Sequence, residues 1–198
     1  MQEYQAFPVD RRLEIINLAR QPGAVASQSS TYGYEEGDIL DAGIPVASRA
    51  IDGNTNGDYY NNSTSHTTYE TAPWWKVDLL GEDVISSPFY AITNVKVYNR
   101  ADSNQQRILN SKVQLQDTNG NILSEQTIPS EVKNVYDLDF GTFVGQVRYV
   151  KVQKLAADPP VPLHLAEVEV YGQEVAAPTE SVSYKEQCRF EKPSLLLF

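Results

Sequence analysis

The stretch Ala91-Ile92-Thr93-Asn94-Val95-Lys96-Val97-Tyr98-Asn99-Arg100-Ala101-Asp102-Ser103-Asn104-Gln105-Gln106-Arg107 contains the two patterns from which the fold is read. Its first half reads as a strand, rich in β-branched residues and close to apolar/polar alternation. Its second half crowds Arg, Asp, Ser, Asn and Gln together and reads as a short polar loop. A further alternating run, Lys112-Val113-Gln114-Leu115-Gln116, follows shortly after. Arg100 therefore falls at a strand's last residue and Arg107 at the far side of the loop. Such a loop can turn both guanidiniums toward one point, with Asp102 placed to orient Arg100. Fixed donors of that kind suit a neutral polyol, whose hydroxyls accept from guanidinium N–H groups. A solvated turn, with Arg100 and Asp102 paired to little energetic effect, satisfies the same spacing.

Working outward, short strand-like runs recur with turn signals between them. Pro73-Trp74-Trp75-Lys76-Val77-Asp78-Leu79-Leu80 reads as a strand with one Trp on each face, one for the core and the other near a loop cluster. Gly81 to Phe89 reads as a long hairpin connection into the strand that ends at Arg100. Asp117-Thr118-Asn119-Gly120-Asn121 carries an Asn-Gly turn between alternating runs, a hairpin signal. Val135 to Phe140 and Gln146 to Gln153 alternate as half-buried strands do, and Leu163 to Gly172 closes the body. Ile16 to Ala19 opens it, and Thr31 to Val46 reads as a loop over the same rim as the arginines. These spacings predict an all-β antiparallel sandwich with its loops clustered at one end. Residues 1–15 read as an N-terminal arm, 16–172 as the folded domain and 173–198 as a flexible or docking tail.

With 198 residues, 41% of them hydrophobic, the chain has material for one sandwich-sized core plus appendages. A net charge of −10 argues against nucleic acid and anionic lipid, which both call for a basic footprint. It is compatible with neutral sugars and with bound Ca²⁺. One cysteine, Cys188, excludes an internal disulfide. The first ten residues show no signal-peptide pattern, and no apolar run is long enough to insert in a membrane. With two histidines and no identifiable nucleophile, an enzyme is not expected.

Ala50-Ile51-Asp52-Gly53-Asn54-Thr55-Asn56-Gly57-Asp58-Tyr59-Tyr60-Asn61-Asn62-Ser63 packs Asp, Asn and Gly between apolar anchors. Carboxylates, amide oxygens and carbonyls at this density are the ligand chemistry of a hard cation such as Ca²⁺. A loop of Asx turns held by its own side chains fits equally well. Asn61-Asn62-Ser63 and Asn62-Ser63-Thr64 are glycosylation sequons, usable in a secreted protein.

Asn17-Leu18-Ala19, Ala50-Ile51-Asp52-Gly53-Asn54, Trp74-Trp75-Lys76-Val77-Asp78-Leu79 and Leu165-Ala166-Glu167-Val168-Glu169-Val170-Tyr171-Gly172 resemble, in this order, the galactose-binding-like or discoidin-like jelly-roll sandwich. Within it the chain resembles the F-type lectins (fucolectins), whose site is a His, then R-x-D, four residues and a basic residue. Here these stand as His66, Arg100-Ala101-Asp102 and Arg107. The resemblance implies that His66, Arg100 and Arg107 hydrogen-bond L-fucose and that Asp102 orients Arg100. Tyr59 and Tyr60 would form the apolar wall for its methyl group. It also implies a structural Ca²⁺ on the side chains of Asp52, Ser63 and Glu167 and the carbonyls of Arg49, Asn54, Ser63 and Ala166.

Two features depart from the family pattern. Ser103-Asn104 stand where adjacent cysteines are often found, and the His66–Arg100 interval is longer, with the extra residues placed in Gly81 to Phe89. The partners implied are fucosylated glycans, with a homo-oligomer possible and a secreted or cell-surface location. Two other readings remain. One is a carbohydrate-binding module for galactose or another glycan, which would tolerate loss of the methyl. The other is a protein- or phospholipid-binding discoidin domain, which would ignore free monosaccharide.

Overall fold

A computed structural model describes residues 14–33, 43–81, 88–157 and 159–177. Most of the N-terminal arm, nearly all of the tail, residues 34–42 of the rim loop and residues 82–87 lie outside the described residues. Among the described residues, ten strands form two antiparallel sheets packed face to face. The first sheet joins β1 (Ile16–Asn17), β10 (His164–Val175), β5 (Phe89–Asn99) and β8 (Val135–Gly145), with β3 (Ser65–His66) also paired to β10. The second runs β2 (Val25–Gln28), β4 (Trp74–Asp78), β9 (Tyr149–Gln153), β6 (Lys112–Gln116) and β7 (Ile122–Thr127). Among the described residues no helix is long and apolar enough to cross a membrane.

The period-two pattern explains the packing. Trp75 and Val77 of β4, Val150 and Val152 of β9, and Val113 and Leu115 of β6 are all fully buried. They face Val95 and Val97 of β5 and Val168 and Val170 of β10, forming the core between the sheets. Trp75 also donates its indole N–H to the Ala47 carbonyl at 3.0 Å, so its one polar atom is satisfied.

Two sequence expectations are corrected. Gly81 to Phe89 does not join a hairpin, because the flanking strands β4 and β5 lie in different sheets; residues 82–87 themselves lie outside the described residues. Trp74 does not floor a loop cluster. It stands on the outer face of the second sheet, since alternation with the core residue Trp75 forces it there.

The segment from Gly81, whose residues 82–87 lie outside the described residues, leads to β5 at Phe89, whereas the Arg100 loop leaves that strand at Asn99, the other end of 11 residues about 33 Å long. The β6–β7 hairpin closes at Asp117–Asn121 as the Asn-Gly signal requires. At the same end as Arg100, the β10–β5 register shifts between Leu165 and Glu167. This bulge at Ala166 re-aims Glu167, so that strand alternation alone does not predict its surroundings.

Candidate functional site

Three chain segments meet at the loop end. His66 closes the two-residue strand β3 and pairs in register with His164, the first residue of β10. Arg100 follows β5 directly, and Arg107 lies in a 3-10 turn, Gln105–Ile108. The third segment, from Asp52 to Tyr60, is a ladder of Asx turns. Asp52, Asn54, Asn56 and Asp58 each accept, through a side-chain oxygen, the backbone N–H two residues on, at 2.7–3.1 Å.

Gly57 locks this ladder to the arginine loop. Its carbonyl accepts the Ala101 N–H at 2.7 Å, and a Cβ on it would meet the Asn99 carbonyl oxygen at 2.6 Å. Asp102 adds a second tie by accepting the Tyr59 N–H at 3.2 Å.

These segments enclose a cavity of about 180 Å³ lined by His66, Arg100 and Arg107 together with Tyr32, Tyr59, Tyr60, Tyr69 and Asn104. Arg100 is almost fully buried. Its Nε and Nη2 each donate to one oxygen of Asp102 at 2.6 Å, a fork that fixes the guanidinium plane. Its Cζ lies 4.6 Å from the Tyr59 ring centroid, on the electron-rich face that favours a cation. Burial alone would raise the Asp102 carboxyl, but the Arg100 hydrogen bonds, the Tyr59 N–H and the Arg100 charge together outweigh it and hold the group at about 2. Arg107 is held more loosely, donating to the Tyr69 hydroxyl at 3.2 Å with its Cζ 5.5 Å from that ring.

His66 is buried within an aromatic cage, with Tyr32, His164 and Tyr59 ring centroids at 5.0, 5.2 and 5.6 Å. Its Nδ1 lies 2.6 Å from the Thr67 carbonyl oxygen. A carbonyl only accepts, so Nδ1 carries the hydrogen and Nε2 is left as an acceptor. Desolvation by burial, helped by the two arginines against the Thr67 bond, lowers this imidazole to about 4. The pocket thus offers two cationic donors and one neutral acceptor.

Tyr59 and Tyr60 divide the aromatic role. Tyr59 is 8% exposed and carries Arg100 on its face, whereas Tyr60, at 69%, stands on the rim with its ring edge-on to Tyr59. Tyr32, Tyr69 and Asn104 are lining residues that sequence reasoning did not assign. Tyr32 belongs to the predicted rim loop, and its N–H donates to the His66 carbonyl at 3.0 Å.

Beneath the ladder, Glu167 is fully buried. One carboxylate oxygen accepts the Gly53 N–H at 3.0 Å and the other has no hydrogen-bond partner. Burial pushes this acid up to about 7, and the neighbouring Asp52 carboxylate adds to the shift. A partnerless buried carboxylate oxygen beside a second carboxylate fits a hard cation. Among the described residues no three His, Cys, Asp or Glu side chains cluster as a metal site, so carbonyls would have to complete the shell. Of the residues implied by resemblance, Asn54 has its side chain in the Asx ladder and Ser63 donates its hydroxyl to the Asp58 carbonyl at 2.7 Å. The Arg49 guanidinium turns away toward Asn62, donating to its side-chain oxygen at 3.1 Å.

Comparison with known proteins agrees with this architecture. The family described as NedA-like, galactose-binding domain matches residues 49–152, more than half of the chain. A fucose-binding module from Streptococcus pneumoniae is 32% identical, with 83% of this chain and 99% of that one covered and a TM-score of 0.63. This chain belongs to the F-type lectins of the galactose-binding-like superfamily. A fucolectin from striped bass (Morone saxatilis) serum superposes on the F-type domain with a TM-score of 0.64 at 29% identity, over 81% of this chain and 50% of that one. Fucolectin-6 of Anguilla japonica is 40% identical over 74 residues, 37% of this chain. That match spans 36% of the relative's length, about a third.

Proposed function

We propose that this F-type domain is a non-catalytic lectin that takes the L-fucose of fucosylated glycans into the cavity between His66, Arg100 and Arg107. The observation carrying this reading is the convergence of these three side chains, from separate segments, on one cavity walled by tyrosines. In it, Arg100 and Arg107 donate to sugar oxygens while His66 Nε2 accepts from one hydroxyl. Tyr60 and Tyr69 offer apolar surface to the methyl and ring C–H groups. Asp102 and Tyr59 act on Arg100, holding it in the orientation the sugar meets. Rigid donors limit the ordering cost of binding a small polar ligand.

Ca²⁺ forms part of the same proposal. Asp52, Ser63 and Glu167 would supply side-chain oxygens, and Arg49, Asn54, Ser63 and Ala166 carbonyls. Bound there, the ion would neutralise the buried Glu167 carboxylate and brace the ladder that carries Tyr59 and Tyr60. Fucosylated glycans outside the cell or on its surface are the partners this reading implies, with avidity gained if several copies assemble.

A glycan array read with and without Ca²⁺ tests the proposal. Signal confined to fucosylated structures supports it; signal on galactosides regardless of fucose favours a general galactose-binding module instead.

A further inference from the structure

The outer face of the second sheet contains a feature unrelated to the loop-end cavity. Lys76 on β4 and Lys151 on β9 stand directly opposite one another in the antiparallel register. Like charges in that position repel. Neither has a carboxylate partner among the described residues, although the chain carries ten more acidic than basic groups. The acids on this face are already engaged. Asp78 is paired with Arg148 at 2.9 Å, and Glu125 with Lys112 at 2.9 Å and the Gln114 amide at 2.8 Å.

Both ammonium groups instead lie over aromatic rings. Lys76 Nζ is 4.3 Å from the Tyr149 centroid and 5.7 Å from that of Trp74, while Lys151 Nζ is 5.4 Å from Trp74. Trp74, Lys76, Gln116 and Lys151 line a cavity of about 80 Å³. That is less than half the volume of the loop-end cavity, the scale of an anionic substituent rather than a whole sugar ring. Burial together with the facing Lys76 lowers the Lys151 ammonium, which an anion between the two would relieve.

We propose that this face is a second ligand site, which takes the oxyanion group of an acidic saccharide, a sulfate ester or a carboxylate, between Lys76 and Lys151. Gln116 borders the group, and Trp74 and Tyr149 flank it with surfaces on which a sugar's C–H face can rest. The protein's overall negative charge gives no long-range attraction, so binding depends on these two lysines and weakens as salt screens them.

The test follows the Trp74 indole N–H by NMR in the intact chain during titration with D-galactose 6-sulfate, D-galacturonate, uncharged D-galactose and inorganic sulfate. The expected result is a saturable shift with one or both acidic sugars and none with D-galactose; which acid binds more tightly separates sulfate from carboxylate. Lys76→Met and Lys151→Met, which keep the aliphatic stems over the ring, should each weaken that binding at least tenfold while L-fucose affinity stays unchanged. Absence of saturation with both acidic sugars, or saturation by inorganic sulfate alone, overturns the proposal. Wild-type affinity in either variant does so as well, and the lysines are then a packing cover for Trp74.

Discussion

The cavity at the loop end and the loop base beneath it are built from opposite kinds of buried group. In the cavity, His66 is buried among aromatic rings and two guanidiniums, and its imidazole is driven down to about 4. At the base, Glu167 is buried, and its acid is driven up to about 7, with Asp52 adding to the shift and the Gly53 N–H and the Arg20 guanidinium opposing it. Desolvation is the leading cause of both shifts, and it acts on groups of opposite charge type. The cavity therefore keeps a neutral acceptor between two cationic donors, whereas the base keeps a buried carboxylate oxygen without a hydrogen-bond partner. In the function proposed above, the first region takes the sugar and the second takes the cation.

The most severe way to break this contrast is at Arg100. Arg100→Ala removes charge-assisted donors worth about 3 kcal/mol, so L-fucose affinity should fall about a hundredfold by calorimetry. Arg100→Lys should recover little of it, because an ammonium cannot keep the two-pronged contact with Asp102.

Next in size is Gly57→Ala, which drives a Cβ into the Asn99 carbonyl and parts the two loops. A loss of about 1–3 kcal/mol of stability, measured by denaturant melts, should accompany weaker sugar binding. Asp102→Asn should cost about tenfold in affinity, since Arg100 keeps its charge but loses its fixed plane.

The contrast is sharpened by pH. His66, with its folded value below 6.5, contributes stability that is complete above 6.5 and lost as pH falls toward 4. Sugar affinity should stay level down to about pH 5 and then drop as the imidazole gains a proton and ceases to accept. Glu167 works the other way. Its raised value means that the cation-free protein keeps this contribution below 4.5 and loses it as pH rises through 7. Added Ca²⁺ should raise the melting temperature most at the alkaline end of that window. Glu167→Gln should abolish both the Ca²⁺ response and the alkaline loss. A wild-type melting curve indifferent to chelator at pH 8 would rule out the cation.

The smallest expected effect is at Tyr60, whose ring is mostly exposed. Tyr60→Ala should weaken L-fucose by about three- to tenfold, with the loss reduced for L-galactose, which lacks the methyl.

The fold was legible because its strands keep strict alternation around large core residues, as in Trp75-Lys76-Val77 and Tyr149-Val150-Lys151-Val152. The His66, Arg100 and Arg107 constellation was legible by spacing and resemblance, because strand ends and a short loop leave little freedom for where they point. Tyr69 and Tyr32 were not. Both lie in irregular backbone, where no periodicity tells which way a side chain faces. The acceptor role of His66 was also hidden, since it depends on a Thr67 carbonyl placed by the β3–β10 pairing. The family resemblance grouped Glu167 with Asp52, two residues far apart in the sequence. The bulge that re-aims Glu167 is a register shift with no local signature. Gly57 read as one more turn glycine, yet its role is to let two backbones touch.

The most direct test is a calorimetric titration of L-fucose into the wild-type chain and into Arg107→Ala, whose altered side chain lies on the rim rather than in the core. The account predicts one site per chain in the wild type. In the variant it predicts at least a tenfold loss with an unchanged melting temperature. Saturation in the variant at the wild-type affinity, or none in the wild type, would contradict it.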